Sequence, residues 1–353
     1  MSRIALRPLL VMLAVLLLAG CRQPPLQQQE SYVFGTRVEV LTVSEDAVKG
    51  QQAIATVLRE FDRLHRAYHA WEPSELSALN DDLLAGKTRQ VSPELAALIR
   101  EAQQMAALGQ YRFDPGIGRL IALWGFHSDE FKPQLPDPAT LAAWQAARPG
   151  IADLTITADG RVSSRNRQVA LDFGGYLKGV ALDRAATILK QQGITSALIN
   201  IGGNVLALGD KQGTPWKVGI QHPRQPGPLA TLTLADGEAI GTSGDYQRFF
   251  ELDGLRYCHL LDPQTARPVQ HTAALTVVIP AGSWQGMQAG MRSDASSKPV
   301  FIAGPAGWRQ AARTMGLEQV LRVGSDGKIE VTAALAKRLA WTGDAGQAVT
   351  IVP

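Results

Sequence analysis

A pair of glycines between a short apolar run and an amphipathic segment constrains this chain more than any other feature. Val169 to Leu171 leads into Asp172-Phe173-Gly174-Gly175, and a helical pattern follows from Tyr176 to about Gln192. Glycines between a strand and a helix let the backbone come close to a ligand. The helix N-terminus offers free N–H groups and a positive dipole end to an anion. Lys178, about one turn into that helix, is placed to reach the same anion. The same residues also suit a tight strand–helix corner with a surface lysine.

Around this corner the pattern mixes helices and strands. Ile54, Val57, Leu58, Phe61, Leu64 and Tyr68 recur at helical spacing, which predicts a helix from Ala47 to Trp71. Ser92 and Pro93 open another that runs to about Gly109. Residues 132–150 read as a surface connection around a short helix. A strand is expected over Val33–Val43, and others at Ala197–Ile201, Val205–Leu208, Trp216–Gln221, Ala230–Leu234, Phe249–Leu252 and Ala273–Ile279. The fold class is α+β, with mixed sheets and helices in two closely packed halves. Apolar residues at 45% and charged residues at 19% exclude a disordered chain. The 35 Lys and Arg nearly balance 32 Asp and Glu, and no dense basic run occurs, so nucleic acid is not an expected partner.

Residues 1–20 read as an export signal. Arg3 and Arg7 flank the uncharged run Leu9–Ala19, which is too short to span a bilayer comfortably. Leu18-Ala19-Gly20-Cys21 resembles a bacterial lipoprotein processing site, which implies lipid on Cys21 and an anchor in the bilayer. Arg22 in place of an aspartate favours the outer over the inner membrane, so the expected location is the cell envelope, facing the periplasm. Residues 21–30 read as a Pro- and Gln-rich tether, and 31–353 as the folded body. Cys258, the only other cysteine, is then without a partner and is expected to be buried.

Several further segments carry chemistry. Asn200-Ile201-Gly202-Gly203-Asn204 is a buried strand ending in glycines, which also suits a plain hairpin. Thr242-Ser243-Gly244-Asp245 offers hydroxyls to a phosphate, and His259 with Asp262-Pro263 offers a positioned base. Ser243, His259 and Asp262 do not read as a hydrolase triad, because no Gly-x-Ser-x-Gly elbow is present. Ser293-Asp294-Ala295-Ser296-Ser297-Lys298 presents oxygen ligands suited to a hard cation, or a capped helix start. Phe113-Asp114-Pro115 to Trp124-Gly125-Phe126 places aromatics beside a glycine, suited to a flat ring or to a core.

In order, Phe34-Gly35-Thr36, Ser74 to Asn80, Phe113 to Phe126, Asp172 to Gly179, Asn200 to Asn204, Thr242 to Tyr246 and His259 to Thr265 resemble the blocks of the ApbE family, the FAD:protein FMN transferases. The resemblance spans essentially the whole chain after Cys21. It implies a bacterial exported enzyme that moves FMN from FAD to a threonine of a membrane or periplasmic electron-transfer flavoprotein, releasing AMP, with Mg²⁺ on the diphosphate. It implies that Asp294, the Gly175 carbonyl and Ser297 hold the metal. It places Phe34, Trp71, Asn80, Leu123, Trp124, Gly125, Phe126, Asp172, Lys178, Thr242, Ser243 and Leu260 at the flavin nucleotide. His259, Asp294 and Lys298 are the implied catalytic residues. The alternatives are an FAD-binding lipoprotein without transfer, or an FAD diphosphatase that uses water, since Asn80 lies in the block that selects the acceptor.

Three positions depart from the family pattern. Phe34 stands for a methionine and Ala266 for a glycine. Lys298 stands for the threonine of Asp-Ala-x-x-Thr, and a protonated ammonium cannot ligate a cation. Either the metal moves to Ser297 and Asp294, or Lys298 itself neutralises the diphosphate, or transfer is lost.

Overall fold

The computed structural model describes residues 25–128 and 130–353. The expected signal segment and Cys21 lie outside them. Strands β1 (Leu26–Val33) and β2 (Thr36–Val43) form an antiparallel hairpin. Its loop residues, Phe34 and Gly35, have φ of 57° and 67°, the left-handed pair that matches the twist of a hairpin. The single strand expected over 33–43 is therefore a turn followed by β2. Residues 26–30, expected in the tether, are instead the first five residues of β1. Only Gln27 and Val33 of this strand are buried. An edge strand that shows most of its side chains to water has the composition of a linker, which is why its sequence conceals it.

Helix α1 (Ala47–Ala67) is capped by Asp46, whose Oδ1 accepts from the Val48 and Lys49 N–H groups. It ends short of the expected Trp71 and leaves that residue on a loop. Helix α2 (Glu75–Leu84), strand β3 (Arg89–Gln90), and helices α3 (Pro93–Leu108), α4 (Gly118–Leu123) and α5 (Pro138–Ala147) follow. Strands β4 (Leu154–Ile156) and β5 (Arg161–Ser164) complete a small sheet with β3. The glycine corner then opens helix α6 (Leu177–Gln191).

The second part of the chain builds most of a nine-stranded sheet. Its elements are β6 (Ala197–Ile201), β7 (Asn204–Leu208), β8 (Trp216–Gln221), β9 (Pro228–Leu234) and β10 (Ala239–Gly244). Short strands β11 (Phe249–Leu252), β12 (Leu255–Cys258), β13 (Leu261–Asp262) and β14 (Arg267–Pro268) follow. Then come β15 (Thr272–Ile279), helix α7 (Ala289–Thr314), β16 (Val320–Gly324), β17 (Ile329–Thr332), the one-turn helix α8 (Ala333–Ala336), β18 (Ala340–Trp341) and β19 (Val349–Val352). The large sheet runs β1-β2-β6-β7-β10-β15-β16-β17-β19, antiparallel except for the β17–β19 pair. The α+β class holds, but the two expected halves share one sheet.

Both faces of that sheet are covered. Leu275, Val277 and Ile279 of β15 join the main core with α1, α6 and α7. Ala274 and Val278 join a second core beneath the sheet β18-β9-β8. All eight residues of β15 are consequently buried. Strand alternation thus decides which side chains reach α7, which breaks at Gly304 before Pro305.

Helices α6 and α7 cross at glycine. A Cβ on Gly179 would sit 2.4 Å from the Gly290 carbonyl oxygen, and one on Gly290 would sit 2.6 Å from the Gly179 carbonyl oxygen. The crossing is locked by exchanged carboxylates. Asp183 of α6 accepts the Gly290 and Met291 N–H groups at the start of α7 (2.8 and 2.7 Å). Asp294 of α7 accepts the Gly179 N–H at the start of α6 (3.0 Å). Each helix caps the other, satisfying donors that helix ends leave open. A side chain at either glycine must push the helices apart. Gly179→Val is expected to lower the unfolding free energy by about 1–3 kcal/mol, as measured by chemical denaturation.

Candidate functional site: a cationic cluster beside an aromatic wall

The exchanged caps put Asp294 at the centre of the molecule, with no exposed surface. One of its oxygens, Oδ2, takes the Gly179 N–H. The other, Oδ1, is in contact with the Lys298 ammonium one turn along α7, and Lys298 Nζ also donates to the Asp294 carbonyl at 2.7 Å. Ser297 Oγ donates to that same carbonyl (2.7 Å) and lies 2.7 Å from Ser243 Oγ of β10. Gly241 makes this closeness feasible, because a Cβ there would meet the Ser293 carbonyl oxygen at 2.1 Å.

Positive charge gathers around this centre. Half-buried His259 feels Arg248, Lys178 and Lys298, and burial together with these cations pushes its imidazole down to about 3. Its Nδ1 lies 3.2 Å from the Arg248 carbonyl. A carbonyl only accepts, so Nδ1 carries the proton and Nε2 keeps a lone pair. Burial pushes the Lys298 ammonium below the ordinary lysine value, against the opposing pull of Asp294. Asn204 adds a donor. Its Oδ1 accepts the Thr242 N–H, while its buried Nδ2 has no partner. By strand alternation with Leu206 and Leu208, which lie in the main core, Asn204 is on the sheet face that carries α7.

An aromatic wall adjoins the cations. Trp71, 38% exposed, stacks on His127 at 4.7 Å and 23°. The Arg248 guanidinium lies 5.9 Å from the Trp71 ring and donates to the Phe126 carbonyl at 2.7 Å. His127 Nε2 lies 3.0 Å from Asp172 Oδ2, and Asp172 Oδ1 accepts the Gly174 N–H at 2.7 Å. Burial works against the Asp172 carboxylate, yet His127, Gly174 and Arg248 together hold it below the ordinary range. The glycine corner and the wall are thus one construction. Phe34 reaches the far end through His65, at 5.7 Å between ring centres.

Other sequence expectations are redistributed. Asn80 spends its amide on the Leu171 backbone, donating at 2.9 Å and accepting at 2.7 Å, so it positions Asp172 and does not offer itself to a ligand. Trp124 and Phe126, expected at the flavin, have their side chains packed in a core. They are 2% and 1% exposed and pack with Phe250, Leu261 and Ala266, and Trp124 Nε1 donates to the Ala266 carbonyl at 2.9 Å. Only Leu123 and Gly125 of that turn reach the surface. Leu260 is buried in the main core. Thr242 and Ser243 point to opposite faces of β10. Thr242 Oγ1 bonds Thr276 Oγ1 at 2.9 Å and borders a separate cleft of about 320 Å³, away from Asp294. No triad forms, since His259 bonds Arg248 and Asp262 bonds Gln264 and Thr265. Cys258 is buried as expected, and burial pushes its thiol up to about 12. Ala266, at the usual glycine position, has a φ of 55°, which explains the family's preference there. His127 and Arg248 escaped the sequence reading. Their only signal was adjacency, one directly after Trp124-Gly125-Phe126 and the other three residues after Asp245.

The residues present do not fit Mg²⁺ as the resemblance implies. Both oxygens of Asp294 are engaged, and the Ser297 hydroxyl is spent on Ser243 and the Asp294 carbonyl. Lys298 Cε lies 3.9 Å from where a Cβ on Gly175 would stand, so the lysine occupies the space between the expected ligands. Among the described residues, no three His, Cys, Asp or Glu side chains group as a metal site.

A shared nine-stranded sheet with two mutually capping helices, a buried centre ringed by cations and an exposed aromatic ring together define an α+β protein with a basic, ring-flanked site. The chain belongs to the ApbE family, whose profile matches residues 34–321. An FAD:protein FMN transferase of Rhodobacter capsulatus is 37% identical over 342 residues, covering 96% of this chain and 64% of that protein. This chain therefore spans just under two thirds of that relative. An FAD:protein FMN transferase of Vibrio cholerae is 30% identical over 279 residues, covering 77% of this chain and 82% of that one. The crystal structure of the ApbE protein of Thermotoga maritima superposes with a TM-score of 0.80 at 28% identity, over 89% of this chain and 99% of that one.

The neutral His259 has a consequence for stability. The unfolded imidazole takes a proton below about 6.5, whereas the folded one resists it down to about 3. The contribution of His259 is therefore present above pH 6.5 and is lost as pH falls towards 3. In thermal melts of the flavin-free protein, wild type is expected to lose stability relative to His259→Asn as pH drops from 7 to 4.5, by at most ~1.4 kcal/mol per pH unit.

Proposed function

We propose that this chain is an FAD:protein FMN transferase that modifies a threonine of an exported electron-transfer flavoprotein. The observation that carries the reading is the convergence of Lys178, Arg248 and Lys298 on a neutral histidine, directly beside the Trp71–His127 wall. Three cations suit a diphosphate, and an exposed stacked ring suits a flavin or adenine. A dinucleotide such as FAD carries both parts in one molecule.

In the reaction, the threonine oxygen attacks the phosphorus on the FMN side of the diphosphate. A P–O bond forms to threonine, and the bond to the AMP phosphate breaks. AMP leaves with the electron pair, and the threonine proton passes to a base. The chain's part is alignment and charge neutralisation, which dominate phosphoryl transfer. Arg248 and Lys178 hold phosphate oxygens, and Asn204 Nδ2 supplies a neutral donor. His259 Nε2, unprotonated at neutral pH, is the acceptor for the threonine proton. Asn80, Asp172 and His127 position the corner and the ring wall.

The acceptor's place follows from the leader. Residues 1–20 act as an export signal and lipid on Cys21 anchors the protein in the envelope, facing a periplasmic or membrane partner. The test is to incubate the full chain with FAD and a threonine-bearing acceptor flavoprotein, then measure in-gel flavin fluorescence and AMP. Covalent flavin together with AMP supports transfer. Free FMN with AMP and no covalent flavin makes it a diphosphatase, and FAD binding without AMP makes it a holder. Lys178→Ala is expected to weaken FAD binding roughly tenfold, measured by quenching of flavin fluorescence.

A further inference from the structure

The Asp294 centre already contains a cation of its own. We infer that the Lys298 ammonium stands where a divalent ion would sit, so that this chain grips the FAD diphosphate and releases AMP without Mg²⁺. The inference rests on the FMN-transfer reading and deepens it.

Four observations carry it. Lys298 Nζ contacts Asp294 Oδ1, the carboxylate a metal would need at this position, and is held there by donating to the Asp294 carbonyl. Asp294 Oδ2 is held by the Gly179 N–H, an interaction that also fastens α6 to α7 and is therefore not free to rearrange. The lysine stem passes beside Gly175, filling the gap between the glycine corner and α7. Ser297, the remaining oxygen donor, is bound on both sides by Ser243 and the Asp294 carbonyl. A second cation here would have to displace the ammonium into a region already shared with Lys178 and Arg248.

The ammonium is equipped for the task. It has three N–H donors, of which two are spent inside α7, leaving one for an anion. With Asp294 it forms a pair of zero net charge, whereas a divalent ion with the same carboxylate would leave one positive charge. Lys178 and Arg248 therefore meet the remaining charge of the diphosphate. In the transfer step Lys298 stays protonated and forms no covalent bond. It stabilises the negative charge that gathers on the departing AMP phosphate as the P–O bond breaks.

The test compares FAD affinity of the full chain, by fluorescence quenching, in EDTA and in millimolar Mg²⁺. Wild type is expected to bind equally within about twofold, with calorimetry showing no Mg²⁺ binding. Lys298→Thr, which supplies the family's usual residue, is expected to lose roughly 100-fold in EDTA and to recover most of it when Mg²⁺ is added. Lys298→Met, which keeps the stem and removes the charge, is expected to be weak in both. A wild-type affinity that rises about tenfold or more with Mg²⁺, or a Lys298→Met protein that binds like wild type in EDTA, overturns the inference alone. Absence of FAD binding in wild type under every condition overturns the transferase reading with it. Should the variants fail to fold, the wild-type comparison still decides.

Discussion

The exchange of carboxylates between α6 and α7 is the constraint on which the rest of the molecule depends. Each helix begins inside the protein, where bare N–H groups are costly, and each receives its partner's aspartate. The arrangement requires close approach, so residues 179 and 290 are glycine. Once the helices are locked, the position of α7 over β10 is set, and with it the contact between Ser297 and Ser243. The strand–glycine–helix corner is then held from two sides, by Asp294 below and by Asn80 through Leu171.

The electrostatic character of the site follows. Asp294 is committed to structure as much as to chemistry, because its two oxygens serve a helix end and an ammonium. Asp172 is similarly engaged, by His127 and a backbone N–H. Asp294 and Asp172 are thus satisfied internally, while Lys178, Arg248 and Lys298 make the surroundings of His259 positive. A polyanionic ligand is the natural counterpart of such a centre. The stacked Trp71 and His127 stand beside that centre.

Much of the fold was legible in the sequence, because α1 carries helical spacing, α3 and α6 carry the start signals of Ser92-Pro93 and the glycine corner, and β15 is a β-branched run, whereas the extent of α7 was not legible. The hidden parts have equally physical causes. β1 displays polar side chains on an exposed edge, so nothing in its composition separates it from a linker. The aromatics of Trp124-Gly125-Phe126 were ambiguous between ring site and core, and only tertiary contacts with Phe250 and Ala266 decide for core. Thr242 and Ser243 look equivalent in a row of hydroxyls, yet strand alternation sends them to opposite faces. His127 and Arg248 act through neighbours more than 40 positions away in the chain, Asp172 and Phe126, so adjacency to a motif was the only local hint of them. Lys298 was visible as a departure, but its consequence depended on where Asp294 directs its oxygens.

The early start of β1 sets a mechanical limit. Sheet pairing begins at Leu26, and only four residues separate it from Cys21. Fully stretched, that stretch reaches about 18 Å. With the proposed lipid in place, the body is leashed close to the bilayer surface and has little room to swing. Under that proposal, the start of β1 would stand within that reach of the lipid headgroups.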